Sequence, residues 1–284
     1  MNKQLAALAV AALAAFGPAP AAATSTSSAT LSGFTFTLVD LDTTDGYAPS
    51  ISFLSGLGTG TSQAYSYASN GVGVSANTGY GGGPCSPAAS SASVYGTSAA
   101  ATVGISGGDP TTLSLVAGGS TAGFVPGGWY SSFMASAQAP DPIYLSFSLG
   151  ANTAVTIGAS YALSTMTTSS PTNEYATARV YLAVSGPGAD GVTEWQSDIA
   201  GQEISVASYW NGTHYAGDSA SLAGAMAVTF SNATTGAMEG YMHAYSLANG
   251  ESMAAVPEPG GWAMLLAGIG MLGVIARRRS RLPS

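Results

Sequence analysis

Along the middle of the chain, apolar and polar residues alternate one for one. Phe34-Thr35-Phe36-Thr37-Leu38 places every second side chain on one face, as a half-buried strand requires. Ile143-Tyr144-Leu145-Ser146-Phe147-Ser148-Leu149 alternates in the same way. Val155 and Ile157 resume the pattern beyond Gly150-Ala151-Asn152, so residues 143–163 read as a hairpin turning at those three residues. Ala176, Ala178, Val180, Leu182 and Val184 line one face of a further strand, with Arg179 and Tyr181 on the other. The segments 204–210, 225–231 and 238–246 carry weaker versions of the signal. No sustained helical stripe with capping residues interrupts the series.

Many short alternating segments separated by Gly, Asn, Asp and Pro predict an all-β fold. The expected form is a single antiparallel β-sandwich of jelly-roll or immunoglobulin-like type. Residues 54–108, rich in Gly, Ser, Ala, Tyr and Asn, read as either long loops or thin edge strands. No repeat of solenoid or propeller period is present.

Both ends of the chain depart from this pattern. At the start, Lys3, the apolar run from Leu5 to Phe16, the break at Gly17-Pro18 and Ala21-Ala22-Ala23 have the order of a signal peptide cleaved after Ala23. The β-sandwich body is then expected over residues 24–255, with a separate signal over 256–284. In that last segment Val256-Pro257-Glu258-Pro259 fixes an extended hinge. An uncharged apolar run from Gly260 to Ala276 follows, near the lower limit of about 17 residues for a bilayer span. Arg277, Arg278 and Arg279 close it and should remain cytoplasmic.

Motif, apolar span and arginine cluster in that order resemble the PEP-CTERM sorting signal of exported proteins in Gram-negative bacteria that make exopolysaccharide. The resemblance covers about a tenth of the chain. It implies export through the inner membrane, transient anchoring by a C-terminal transmembrane helix, and removal of the tail by an exosortase. The body would then pass to the cell surface or extracellular matrix. Some ice-binding proteins carry the same signal, but no regular Thr-x-Thr array occurs here, and an address lends no activity to the body.

Removing the ends sharpens the charge. Of six basic residues only Arg179 lies in the body, against thirteen of the fourteen acids, giving the body a net charge of −12. A body with one cation cannot track a phosphate backbone, which excludes nucleic acid as a partner. The lone Cys85 cannot form an internal disulfide and reads as a tolerated loop residue.

Sequence motifs for catalysis fail on context. Gly268-Ile269-Gly270-Met271-Leu272-Gly273 has the dinucleotide-binding spacing but lies inside the apolar tail. Gly104-Ile105-Ser106-Gly107-Gly108 matches a nucleophile elbow but runs into Asp109-Pro110 instead of a helix. His214 and His243 belong to no close ligand pair. Two other groups point to binding. Glu239, Tyr241, His243 and Tyr245 would share one face of a strand, suited to stacking on sugar rings and bonding their hydroxyls. Asp40, Asp42 and Asp45, closing a strand at Gly46, would suit weakly held Ca²⁺ completed by backbone carbonyls, without meeting the EF-hand pattern. The expectation is a non-catalytic surface or matrix protein associated with exopolysaccharide or other surface glycans. The alternatives are a secreted polysaccharide-degrading enzyme and a self-assembling structural component.

Intact-mass measurement of surface-extracted protein should show the chain ending near Pro257 to Pro259. Recovery of the full tail from cells with a working exosortase would count against that sorting route.

Overall fold

The computed structural model describes residues 24–54, 61–68, 72–78, 88–106, 109–121, 130–139, 145–168, 173–191 and 195–253. The expected signal peptide, Cys85, Val256 to Pro259, the apolar tail and Arg277 to Arg279 all lie outside the described residues. Every helix or strand element among the described residues is a strand, and no helix there is long and apolar enough to cross a membrane.

In chain order the strands are β1 (Ser25–Asp40), β2 (Ile51–Phe53), β3 (Thr61–Ala68), β4 (Val72–Thr78), β5 (Ala88–Val94), β6 (Thr97–Ser106), β7 (Asp109–Ser120) and β8 (Tyr130–Ala139). They continue as β9 (Leu145–Leu149), β10 (Thr153–Thr167), β11 (Glu174–Gly186), β12 (Gln196–Ala207), β13 (Tyr209–Trp210), β14 (Tyr215–Ala216), β15 (Ser219–Asn232) and β16 (Met238–Met253). Among the described residues all pairings are antiparallel. One sheet has the order β15-β10-β1-β7-β6-β5, and the larger has β12-β11-β16-β8-β3-β4. β8 and β9 pair with successive stretches of β16, and β2 pairs with β9. The stretch 54–108, ambiguous by composition, supplies β3 to β6.

One expectation is corrected. Residues 143–163 do not form a hairpin, because β9 belongs to the larger sheet and β10 to the smaller. The Gly150-Ala151-Asn152 turn passes the chain between sheets. It is held by Gly150 N–H donating to the Ser50 carbonyl at 2.8 Å and Asn152 N–H donating to the Thr234 carbonyl at 3.0 Å. Alternation reports which side chains face inward, but a turn signal cannot say which strand the chain pairs with next.

The inward faces of both sheets share one core, including Leu31, Leu115, Val155, Ile157 and Phe230 from the smaller sheet and Phe133, Phe147, Val180, Leu182 and Met242 from the larger. Large rings sit over glycines. A Cβ on Gly119 of β7 or Gly250 of β16 would strike the Phe133 ring, and one on Gly240 or Gly186 would strike Phe147 or Phe230. Phe147 meets Phe230 edge-on at 5.6 Å, tying β9 to β15 across the core.

The β15 edge is partly capped by side chains of β12. Thr229 N–H donates to Asp198 Oδ2 at 2.7 Å. Gln196 pairs with Ser231 like a strand residue, its Nε2 donating to the Ser231 carbonyl at 2.7 Å and its Oε1 accepting the Ser231 N–H at 3.4 Å. Covered backbone groups cannot template another chain. Replacing both residues, Gln196→Ala with Asp198→Ala, should lower unfolding free energy by about 1–2 kcal/mol. It should also produce concentration-dependent association in sedimentation velocity. A monomeric, equally stable variant would show that these contacts do not guard the edge.

Candidate functional site: the outer face of the larger sheet

β16 alternates strictly. Met238, Gly240, Met242 and Ala244 are buried, while Glu239 is exposed and Tyr241, His243 and Tyr245 are half-exposed on the outer face. The register with β11 places Tyr181 opposite Tyr245, Ala183 opposite His243 and Ser185 opposite Tyr241. Tyr181 stacks on Tyr245 with ring centroids 5.1 Å apart and planes 17° from parallel. His243 lies edge-on to Tyr181 at 5.8 Å. Trp195, which enters β12, stacks on Tyr241 at 5.9 Å and 13°. The Arg179 guanidinium lies 5.6 Å from the Tyr245 ring centroid and 3.7 Å from the Glu203 carboxylate opposite it in β12. That ion pair is half-exposed, so its contribution is small; its effect is to hold the cation against the ring. Burial raises the Tyr241 hydroxyl pKa, and the neighbouring Glu239 carboxylate adds to the shift. Burial also raises that of Tyr245, with Arg179 opposing it.

A second aromatic group occupies the same face nearer the far edge. Tyr65 and Tyr67 of β3 stack at 6.4 Å and 8°, and Tyr67 approaches Tyr130 of β8 at 6.0 Å. Tyr65, Ser132, Met134, Asn249 and Glu251 line a shallow depression beside them. Burial raises the Tyr130 hydroxyl pKa, with the charge of Glu251 also contributing. The four residues first read from β16 are therefore joined by Tyr181, Arg179, Glu203 and Trp195, and flanked by a tyrosine group from other strands. Alternation had placed Arg179 and Tyr181 facing away from the core, but the cross-strand register that sets them beside β16 is not written locally. Trp195 and the tyrosines of β3 and β8 carried no signal in sequence beyond being aromatic.

The three aspartates behave differently. Asp40 Oδ1 accepts the Asp42 N–H at 3.0 Å, Asp42 Oδ1 accepts the Thr44 N–H at 3.0 Å, and Asp45 Oδ1 accepts the Tyr47 N–H at 2.8 Å. The Thr44 hydroxyl and N–H hold the Asp42 pKa below its ordinary value. Among the described residues no group of three or more His, Cys, Asp or Glu is arranged to hold a metal ion, these three included. His214 sits in the exposed turn between β13 and β14, its ring nitrogens facing Asn211 and Thr213. Gly104 to Ser106 end β6, and β7 begins at Asp109, so no helix supports Ser106. Glu174 and Glu251 line one shallow pocket at the end of the larger sheet. They point to opposite faces, Glu174 inward and 2% exposed and Glu251 outward, so they do not oppose one another across a cleft.

Asp45 has a structural partner in Asn152, whose Nδ2 donates to its Oδ2 at 2.6 Å. Asn152 also holds φ at +45°, in the left-handed region. Asn152→Ala loses the bond and strains the backbone, and should cost about 2–3 kcal/mol. Asn152→Gly should cost about 1 kcal/mol less, because glycine adopts that φ freely. Equal costs in denaturant melts would remove the backbone contribution.

The body is thus an all-β unit of antiparallel sheets. Residues 255–280 match the PEP-CTERM protein-sorting motif, so the chain carries the signal that implies export, processing by an exosortase and sorting to the cell surface. Comparison with curated proteins and with solved structures finds no match.

Proposed function

We propose that this is a non-catalytic surface or matrix protein that binds exopolysaccharide through the outer face of the larger sheet. In this reading the body is a β-sandwich. It is anchored briefly by an apolar C-terminal helix and released at the surface of a Gram-negative cell. The sandwich reading is supported by the core that both sheets share. The observation that carries the binding reading is the set of near-parallel ring pairs, exposed Trp195 with half-exposed Tyr241 and half-exposed Tyr181 with Tyr245, on one open sheet face. Aromatic faces match the C–H faces of pyranose rings, and Glu239, Glu203 and Arg179 beside them offer bonds to hydroxyls. The body's charge of −12 favours neutral or cationic glycans over acidic ones.

A self-assembling role is the second reading. It draws on the first half of β15, an edge strand whose residues 219–227 are Ser, Ala, Leu, Gly and Met without a charge.

Affinity electrophoresis of the purified protein in gels containing the host's exopolysaccharide tests the binding reading. Tyr245→Ala and Trp195→Ala should each weaken retention about five- to thirty-fold, or about 1–2 kcal/mol. Unchanged retention in both variants would move the function away from this face. Shortening of the polysaccharide by the intact protein would make it an enzyme.

A further inference from the structure

The start of the first strand and the end of the last lie at the same end of the body. Thr24 N–H donates to Thr168 Oγ1 at 3.0 Å, and Thr168 N–H donates back to the Thr24 carbonyl at 3.1 Å. At the other terminus, Met253 N–H donates to the Asn173 carbonyl at 3.2 Å. Between them sits Glu174, 2% exposed. Its carboxylate accepts the Thr168 N–H at 2.6 Å and the Thr168 hydroxyl at 3.1 Å, the same hydroxyl that accepts the Thr24 N–H. Other neighbours among the described residues include the Ser208 hydroxyl on the Glu174 N–H, the Asp218 carbonyl on Thr167 N–H, and Tyr175, Glu251 and Met253 at the pocket rim. Glu251 and Asp218 are themselves acidic, and among the described residues none of the groups that act on the carboxylate is a cation. Arg179, farther along β11, projects to the outer face. A carboxylate this buried without a cation is costly.

We propose that cleavage of the leader after Ala23 completes this site, with the α-ammonium released at Thr24 becoming the counter-ion of Glu174 and locking β1 to the end of β10 and β11. Hydrolysis of the Ala23–Thr24 bond by a leader peptidase consumes one water. It leaves a carboxylate on Ala23 and an amine at Thr24 that takes up a proton. The Thr24 nitrogen, carrying a single hydrogen, already donates to Thr168 Oγ1, and that hydroxyl in turn donates to the Glu174 carboxylate, so the nitrogen stands one hydroxyl away from the acid. Cleavage adds two donors and a positive charge at that place, with no movement of the strand required. Folding is thereby coupled to export: the uncleaved chain buries an uncompensated acid and the cleaved chain buries an ion pair. The inference rests on the export reading and is independent of glycan binding.

The pH dependence follows from the two states. Without the ammonium, burial raises the folded Glu174 pKa from 4.5 to about 7. The folded chain then holds a proton that the unfolded chain releases, so stability falls as pH rises through that window. With the ammonium present, the carboxylate is favoured and that fall is removed, until the amine itself loses its proton near about pH 8.

The test uses the chain from Thr24 to Ser284 in detergent, prepared with a free Thr24 amine or with that amine acetylated. Each form carries Glu174 or Glu174→Gln, and thermal midpoints are followed from pH 4 to 9. N-terminal sequencing of the exported protein should find Thr24. The free-amine chain should melt higher than the acetylated chain at pH 6–7.5. The gap should close at both ends of the pH range and vanish with Glu174→Gln. A different mature terminus, equal midpoints for the two forms, or a gap that survives Glu174→Gln would overturn the proposal. If the Gln variant does not fold, a pH-independent gap between the two wild-type forms overturns it equally.

Discussion

The structure depends on large rings lodged over glycines. Phe133 lies where a Cβ on Gly119 or Gly250 would stand, Phe147 where one on Gly240 would, and Phe230 where one on Gly186 would. These rings span the space between sheets otherwise lined heavily with alanine, such as Ala29, Ala117, Ala176, Ala178 and Ala248. A core of small residues alone would leave voids, and each ring lost would open a cavity costing several kcal/mol, about 3–5 for Phe to Ala. Phe133 over Gly119 and Phe230 over Gly186 lock strands of opposite sheets together, while Phe133 over Gly250 and Phe147 over Gly240 fix neighbours within the larger sheet, because a ring fits only where the backbone beside it is bare. The low charge and high glycine content of the body are therefore part of one packing solution.

With apolar bulk committed to the interior, the outer face of the larger sheet is free to carry a different chemistry. Long strands with strict alternation project half of their residues outward, and there the tyrosines, Trp195 and His243 gather by cross-strand register. Tyr181 and Tyr245 pair from adjacent strands, Trp195 reaches Tyr241 past β11, and Tyr65 and Tyr67 stack along β3. Such a face is preorganised and loses little entropy on meeting a flat ligand. The opposite requirement governs the edges, where Asp198 and Gln196 lend side-chain bonds to the β15 backbone.

Both chain termini of the body converge on one end, near Glu174, Thr168 and Asn173. The first and last described residues of the body, Thr24 and Met253, therefore lie at the same end of it. Glu174, buried at 2% exposure, lies at the Thr24 end, so the proposed leader cleavage would link stability to maturation.

Sequence by itself determined the faces of the strands, the absence of helical periodicity in the body, the acidity of the body and the sorting motif at the C-terminal end. These are local properties: period-two patterning in Phe34 to Leu38 or Ala176 to Val184 is written in adjacent residues, as is Pro257-Glu258-Pro259. The tertiary structure alone decided partners. It separated β9 from β10, which a turn-forming Gly150-Ala151-Asn152 had suggested were paired. It brought Trp195 onto Tyr241 and joined Thr24 to Glu174 through the Thr168 hydroxyl, and it turned the Asp40, Asp42 and Asp45 carboxylates toward nearby backbone N–H groups. The physical reason is that alternation encodes inside and outside. The choice of neighbour is set by long-range packing of rings against glycines, which no local stretch of the chain contains.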